Sequence, residues 1–321
     1  MTDALTILPL VRGTASLPPV VILAGPAAQV AWDEFFAGQC RNKHTKAAYL
    51  RAVKRFLAWI EPTGCPLERI TPGMVGNYLD SLPFAAPTKK LELAALRRFF
   101  DVLTVRHITV INPAASVRGD RHQVLEGSTP AITPTQARAL LNSIDTTSVV
   151  GLRDRAILGC LAFTAARAGA VASLKRGSFT YDGTQFRLRF QEKNAKRRDV
   201  PVRYDLERFL LEYLEAAKLN DAPVQTPLFR SAVGRSNRLT AENVTALDIW
   251  RLVKRRLHAA GLPEHLSPHS FRVAVATDLL SQSVPLEDVQ FLLGHSDPRT
   301  TRLYDRRQRE VTRNLVERIS L

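Results

Sequence analysis

Cysteine is scarce: Cys40, Cys65 and Cys160 are the only three in 321 residues, widely separated and with no Cys-x-x-Cys. That excludes a disulfide scaffold and a thiolate zinc site, and it points to a reducing cytoplasm. Long apolar runs are missing too. The best stretch, Val20 to Trp32, is broken by Pro26 and has no basic segment just before it, so neither a transmembrane helix nor a signal peptide is read there. No metal set is visible. His258, His265 and His269 cluster in sequence, but Pro268 breaks the helix that would align the last two, and no cysteine or paired carboxylate completes the set. Acid is also in deficit, with 30 Asp and Glu against 45 Lys and Arg, a net charge of +15.

An apolar fraction of 45% is enough to bury a core, which excludes a disordered chain. The length suggests about two domains. Residues 1–125 hold 15 basic and 9 acidic side chains, and residues 126–321 hold 30 and 21. The excess is spread over both halves, which fits a grip on a long polyanion along the whole molecule. The plain alternative is a soluble basic protein with no such partner.

Residues 1–26 have no clear periodicity and carry Pro9, Pro18, Pro19 and Pro26, so they read as a poorly ordered extension. Residues 27–111 read as a helical domain. Tyr49, Val53, Phe56, Leu57 and Ile60 form one apolar stripe, Thr71-Pro72 caps a second helix, and Thr88 opens a third through Leu96, Phe99 and Leu103. Opposite these stripes lie Lys46, Lys89, Lys90 and Arg97, the candidate polyanion-binding residues of a basic exterior. Residues 112–132 read as a linker, and residues 133–321 as a second domain opened by the capping box Thr133-Pro134-Thr135-Gln136. A helix leads to Arg167. Strands over Phe179 to Tyr181, Phe186 to Phe190 and Arg198 to Val202 follow, and then helices over Leu206 to Lys218, Val244 to Ala260 and Pro268 to Ser281. The fold class is mainly α with a small antiparallel β-sheet, in two domains.

Several segments could carry chemistry. In Ser267-Pro268-His269-Ser270-Phe271-Arg272 the imidazole and guanidinium are three apart, and so share one face at a helix start. Such a start favours an anion; arginine pairs with phosphate oxygens and histidine moves a proton. A cap with a surface arginine explains the segment as well. Leu293-Gly294-His295 is followed nine residues later by Tyr304, which Arg302, Asp305, Arg306 and Arg307 flank, a poor setting for a core tyrosine. Glu192 to Asp199 is a charge run that otherwise reads as solvated surface.

In order along the chain, Arg167, the hairpin from Glu192 to Pro201, His269-x-x-Arg272, Gly-His295 and Tyr304 resemble the tyrosine recombinase (phage integrase) family. The helical first domain looks like that family's core-binding domain, so the resemblance spans roughly residues 27–321. It implies a site-specific DNA recombinase in which Tyr304 attacks the scissile phosphate and forms a 3′-phosphotyrosyl link. Arg167 and Arg272 would clamp the non-bridging oxygens, Lys193 would protonate the leaving oxygen, His269 would take the tyrosine proton and His295 would hydrogen-bond the phosphate. Lys196 competes with Lys193 for the lysine role, and Lys196 and Arg197 are further DNA-binding candidates. The family commonly carries an acid three residues after its first arginine, where this chain has Ala170.

The residue types suit these tasks. A free phenol titrates near pH 10, so forming phenolate at neutral pH costs about 4 kcal/mol, which nearby cations and a proton acceptor reduce. The covalent link conserves the energy of the broken ester, so no ATP, metal or other cofactor is expected. Val311, Leu315 and Ile319 recur at four-residue spacing, an amphipathic end that packs on its own domain or on a neighbour. The resemblance implies docking on a neighbour in a homo-tetramer bridging two double-stranded DNA sites. A type IB topoisomerase and a non-catalytic DNA-binding protein are the competing readings.

Overall fold

The computed structural model describes residues 17–120, 129–191, 197–234, 236–295 and 297–304. The chain divides into two compact units, one through Gln123 and one from Val124. The expected extension is shorter than read: α1 (Pro19–Leu23) and α2 (Pro26–Glu34) are formed, and Val20, Val21, Ala31 and Trp32 are buried. Prolines that suggest disorder sit here at helix starts, where a missing N–H costs nothing. A π-helical turn (Phe35–Gln39) continues α2, and α3 (Lys43–Ile60), α4 (Pro72–Ser81) and α5 (Ala86–Val105) complete the first unit. Thr71 caps α4 as its sequence indicates, whereas α5 begins two residues before Thr88. The core is aromatic: Trp32, Phe35, Phe56, Tyr78, Phe99 and Phe100 pack mainly edge-to-face. Within it Glu92 is buried, accepts a hydrogen bond from the Tyr78 hydroxyl at 2.9 Å and pairs with Arg55.

The second unit begins with α6 (Pro134–Asn142), started by the reciprocal Thr133–Gln136 capping box. Then come α7 (Val149–Thr164) and α8 (Ala168–Ala172). Strands β1 (Phe179–Tyr181), β2 (Phe186–Gln191) and β3 (Arg197–Pro201) form an antiparallel sheet in the order β1-β2-β3, with Phe179 opposite Leu188 and Leu188 opposite Val200. After α9 (Tyr204–Ala216), a second antiparallel pair, β4 (Arg230–Ala232) and β5 (Leu239–Asn243), leads into α10 (Ala246–Ala259), α11 (Pro268–Ser281), α12 (Leu286–Leu293) and α13 (Pro298–Arg302).

Helix α7 is the axis of this unit, apolar on nearly every side and buried from Val150 to Thr164 on most faces. Close approach to α9 requires Gly159, where an added Cβ would come within 3.0 Å of Leu206 and Phe209. Asp154, fully buried near the other end of α7, accepts hydrogen bonds from Arg153, Arg255 and Arg256 and so ties α7 to α10. Among the described residues no helix is long and apolar enough to cross a membrane.

Candidate active site

Two helix ends and one helix start build the site. Helix α7 stops at Ala165, which is left-handed at φ 52°, and Arg167 follows two residues later. Helix α12 stops at Gly294, also left-handed at φ 64°, and His295 follows directly. Gln290 holds His295 from both sides: its carbonyl accepts from the His295 N–H at 3.2 Å, and its side-chain amide donates to the His295 carbonyl at 3.1 Å. His269 and Arg272 come from the first turn of α11, opened by Ser267 and Pro268.

These positions converge with Tyr304. The Tyr304 hydroxyl lies 3.2 Å from His269 Nε2, and the His295 ring stacks on the Tyr304 ring at 5.8 Å between centroids. His295 Nδ1 is 2.9 Å from the hydroxyl of Thr301, a fully buried residue. Arg272 is 1% exposed and donates from Nη1 to the Ala165 carbonyl at 2.7 Å and from Nη2 to the Leu293 carbonyl at 2.6 Å. Its guanidinium is therefore fixed by the ends of α7 and α12, where orphan carbonyls carry partial negative charge.

The expectation that Tyr304 avoids a core setting is corrected. Only 6% of its surface is exposed, and it belongs to a buried apolar cluster with Ala165, Val273, Ala276, Leu280, Val289 and Leu293. These apolar residues come from α11, α12 and the end of α7, far from Tyr304 in sequence. The hydroxyl nonetheless reaches His269, which is exposed.

Among the described residues the charges acting on the two histidines are positive. Partial removal from water, then the charges of Arg272 and Arg167, hold the His269 imidazole below the ordinary histidine range. Burial first, then Arg272, Arg167 and His269, push His295 down to about 3. Both rings are thus neutral at pH 7. Among the described residues no carboxylate is in the groups that shift them, and Ala170 is a buried alanine. Among the described residues no group of three or more His, Cys, Asp or Glu is placed to hold a metal ion.

Arg167, His269, Arg272, His295 and Tyr304 are therefore brought together. Lys193 and Lys196 lie outside the described residues, as does the segment with Val311, Leu315 and Ile319. Arg197 is exposed at the start of β3. In the first unit Lys46 and Lys90 are exposed and Lys89 is half-buried. Arg97 departs from the simple picture of a basic exterior, because it donates to the carbonyls of Ala114 (3.1 Å) and Val117 (2.6 Å). The sequence reading passes over Thr301; the one local cue is its place three residues before Tyr304, in the short α13 capped by Asp297.

Comparisons with known proteins identify the family. Residues 130–310 match the phage integrase family, and residues 30–107 match the phage integrase N-terminal SAM-like domain. A tyrosine recombinase XerD of Pseudomonas putida is 34% identical over 272 residues, covering 82% of this chain and 86% of the relative. A tyrosine recombinase XerD of Ralstonia nicotianae is 28% identical over 309 residues, covering 94% and 95%. A XerH site-specific recombinase bound to a palindromic difH substrate shares the fold with a TM-score of 0.66 at 21% identity, covering 82% of this chain and 76% of that one. A lambda integrase dimer bound to a COC′ core site does so at 0.63 and 18%, covering 88% and 95%. The chain belongs to the phage integrase family of tyrosine recombinases.

Proposed function

We propose that this protein is a site-specific recombinase that cuts and rejoins double-stranded DNA through Tyr304. The contact between the Tyr304 hydroxyl and His269 Nε2 carries the reading, because a neutral imidazole beside a phenol can take its proton as the oxygen attacks phosphorus. Arg167 and Arg272 hold the non-bridging oxygens, and their permanent charge meets the charge that builds on the phosphorane. His295, neutral, donates a hydrogen bond to the same phosphate. As the bond from phosphorus to the 5′ oxygen breaks, Lys193 supplies that oxygen's proton. The result is a 3′-phosphotyrosyl link and a free 5′-hydroxyl, and attack by a 5′-hydroxyl reverses the step without ATP.

Lys46, Lys89, Lys90, Lys196 and Arg197 contact the DNA backbone, with Arg97 contributing less because carbonyls of its own unit engage it. The working assembly is a tetramer on two DNA sites, with the amphipathic C-terminal segment of each protomer docked on a neighbour, and it acts in the cytoplasm. The recombinase names of the relatives favour this reading over a topoisomerase or a non-catalytic DNA-binding protein. Nicked suicide DNA tests it: Tyr304→Phe should bind DNA like the wild type and form no covalent adduct. Adducts persisting in that variant would reject Tyr304 as the nucleophile.

A further inference from the structure

We propose that Arg198 is a positioning residue that sets Arg167 and His295 by tying together the ends of the two helices that present them. The proposal rests on the reading of Tyr304, Arg167 and His295 given above. Arg198 belongs to a run of charge that reads as solvated surface or DNA contact, yet it is only 5% exposed. Its Nη1 donates to the Thr164 carbonyl at 3.1 Å and to the Leu292 carbonyl at 2.5 Å, and its guanidinium lies over the Phe190 ring at 4.8 Å. Arg272 bridges the next carbonyl of each helix, Ala165 and Leu293. Two guanidinium bridges thus join adjacent carbonyl pairs at the ends of α7 and α12, Thr164 with Leu292 and Ala165 with Leu293.

The spacing gives the bridge its consequence. Thr164 stands three residues before Arg167, and Leu292 stands three before His295. Between bridge and functional residue each chain turns through one left-handed residue, Ala165 or Gly294, so a shift of either helix end re-aims the side chain beyond the turn. Both helix ends carry partial negative charge and repel each other unless a cation lies between them. Burying a guanidinium is costly, and an apolar side chain would fill the same space without that cost. The bridging itself is what the charge supplies.

The experiment measures covalent adduct formation on suicide DNA by the full chain, with Tyr304→Phe as the blank. A second DNA carries a methylphosphonate at the scissile position, which lacks the negative charge that the arginines must meet. Arg198→Met should bind DNA as tightly as the wild type but form adduct at least about tenfold more slowly on the ordinary phosphate, as misplacement of reacting groups does. On the methylphosphonate the gap should shrink to about threefold or less, since less is asked of Arg167. Both bonds come from one nitrogen, so Arg198→Lys can remake them and should stay within about threefold of wild type. Should Arg198→Met not fold, Arg198→Gln, too short to reach both carbonyls, replaces it with the same expectations. Wild-type speed in the Met or Gln variant would overturn the proposal. So would equal slowing in the Lys variant, or a gap of the same size on both DNAs. A wild type that forms no adduct, or a Tyr304→Phe that does, would instead reject the reading of Tyr304.

Discussion

Thr301→Val tests the aim of His295. Valine matches threonine in shape and removes only the hydroxyl that lies 2.9 Å from His295 Nδ1. The ring is neutral, so one nitrogen carries a proton and the other does not. For His295 to donate to phosphate from Nε2, Nδ1 must accept, and the Thr301 hydroxyl is the group that donates to it. Without that hydroxyl the tautomer is no longer specified, and a partly buried acceptor loses its partner at a cost of about 1–3 kcal/mol. If the whole cost falls on the transition state, adduct formation slows about 5- to 150-fold. The assay is single-turnover adduct formation on suicide DNA, with thermal melting to exclude a folding defect. Thr301→Ser keeps the hydroxyl and should stay within about threefold of wild type. A Thr301→Val rate within about twofold of wild type, in a folded protein, would refute the argument.

Two further predictions follow from the charges. Asp154→Asn removes the anion shared by Arg153, Arg255 and Arg256 and leaves Arg153, 5% exposed, as a buried cation without its hydrogen-bonded carboxylate. That costs about 3–5 kcal/mol, and at about 2–4 °C per kcal/mol for a unit of this size the melting temperature should fall by about 6–20 °C; a fall below about 3 °C by calorimetry would contradict it. The second concerns pH. His269 and His295 are held low partly by Arg167, so Arg167→Gln should raise both imidazole pKa values in an NMR titration of the free protein, because losing a cation favours the protonated ring. Since His269 must be neutral to accept the Tyr304 proton, the wild-type rate at subsaturating DNA should fall on acidification, with its midpoint below the ordinary histidine pKa of about 6.5. A midpoint above that value, or titrations unmoved by Arg167→Gln, would contradict the assignment.

How much of this was legible depended on how local each signal is. The caps at Thr71-Pro72 and Thr133-Pro134 were readable because a hydroxyl, a proline and the next N–H lie within four residues. The turn between β1 and β2 was readable for the same reason, since the Asp182 carboxylate accepts from the N–H groups of Thr184 and Gln185. Strands β4 and β5 were not, because Arg-Ser-Ala and Leu-Thr-Ala-Glu-Asn bury no alternating apolar face. Helix α12 escaped because it is eight residues long and exposes Phe291 while burying Val289 and Leu293. The order of the chemical residues could be read, but not their surroundings. The burial of Tyr304 comes from residues of α7, α11 and α12, and that of Arg198 from carbonyls 34 and 94 residues away.

The absence of an acid at Ala170 changes how the site must work. A carboxylate beside His269 or His295 would favour the imidazolium and place another negative charge near a phosphate. Among the described residues the two histidines face burial and cations, which favour the neutral rings before DNA arrives. A neutral His269 is able to receive the Tyr304 proton, whereas an imidazolium is not. On the proposed mechanism the phosphate would supply negative charge, and its arrival between Arg167 and Arg272 would raise the proton affinity of both rings when the Tyr304 proton must move. On this account the substrate tunes the base. An alanine at position 170 is then compatible with activity.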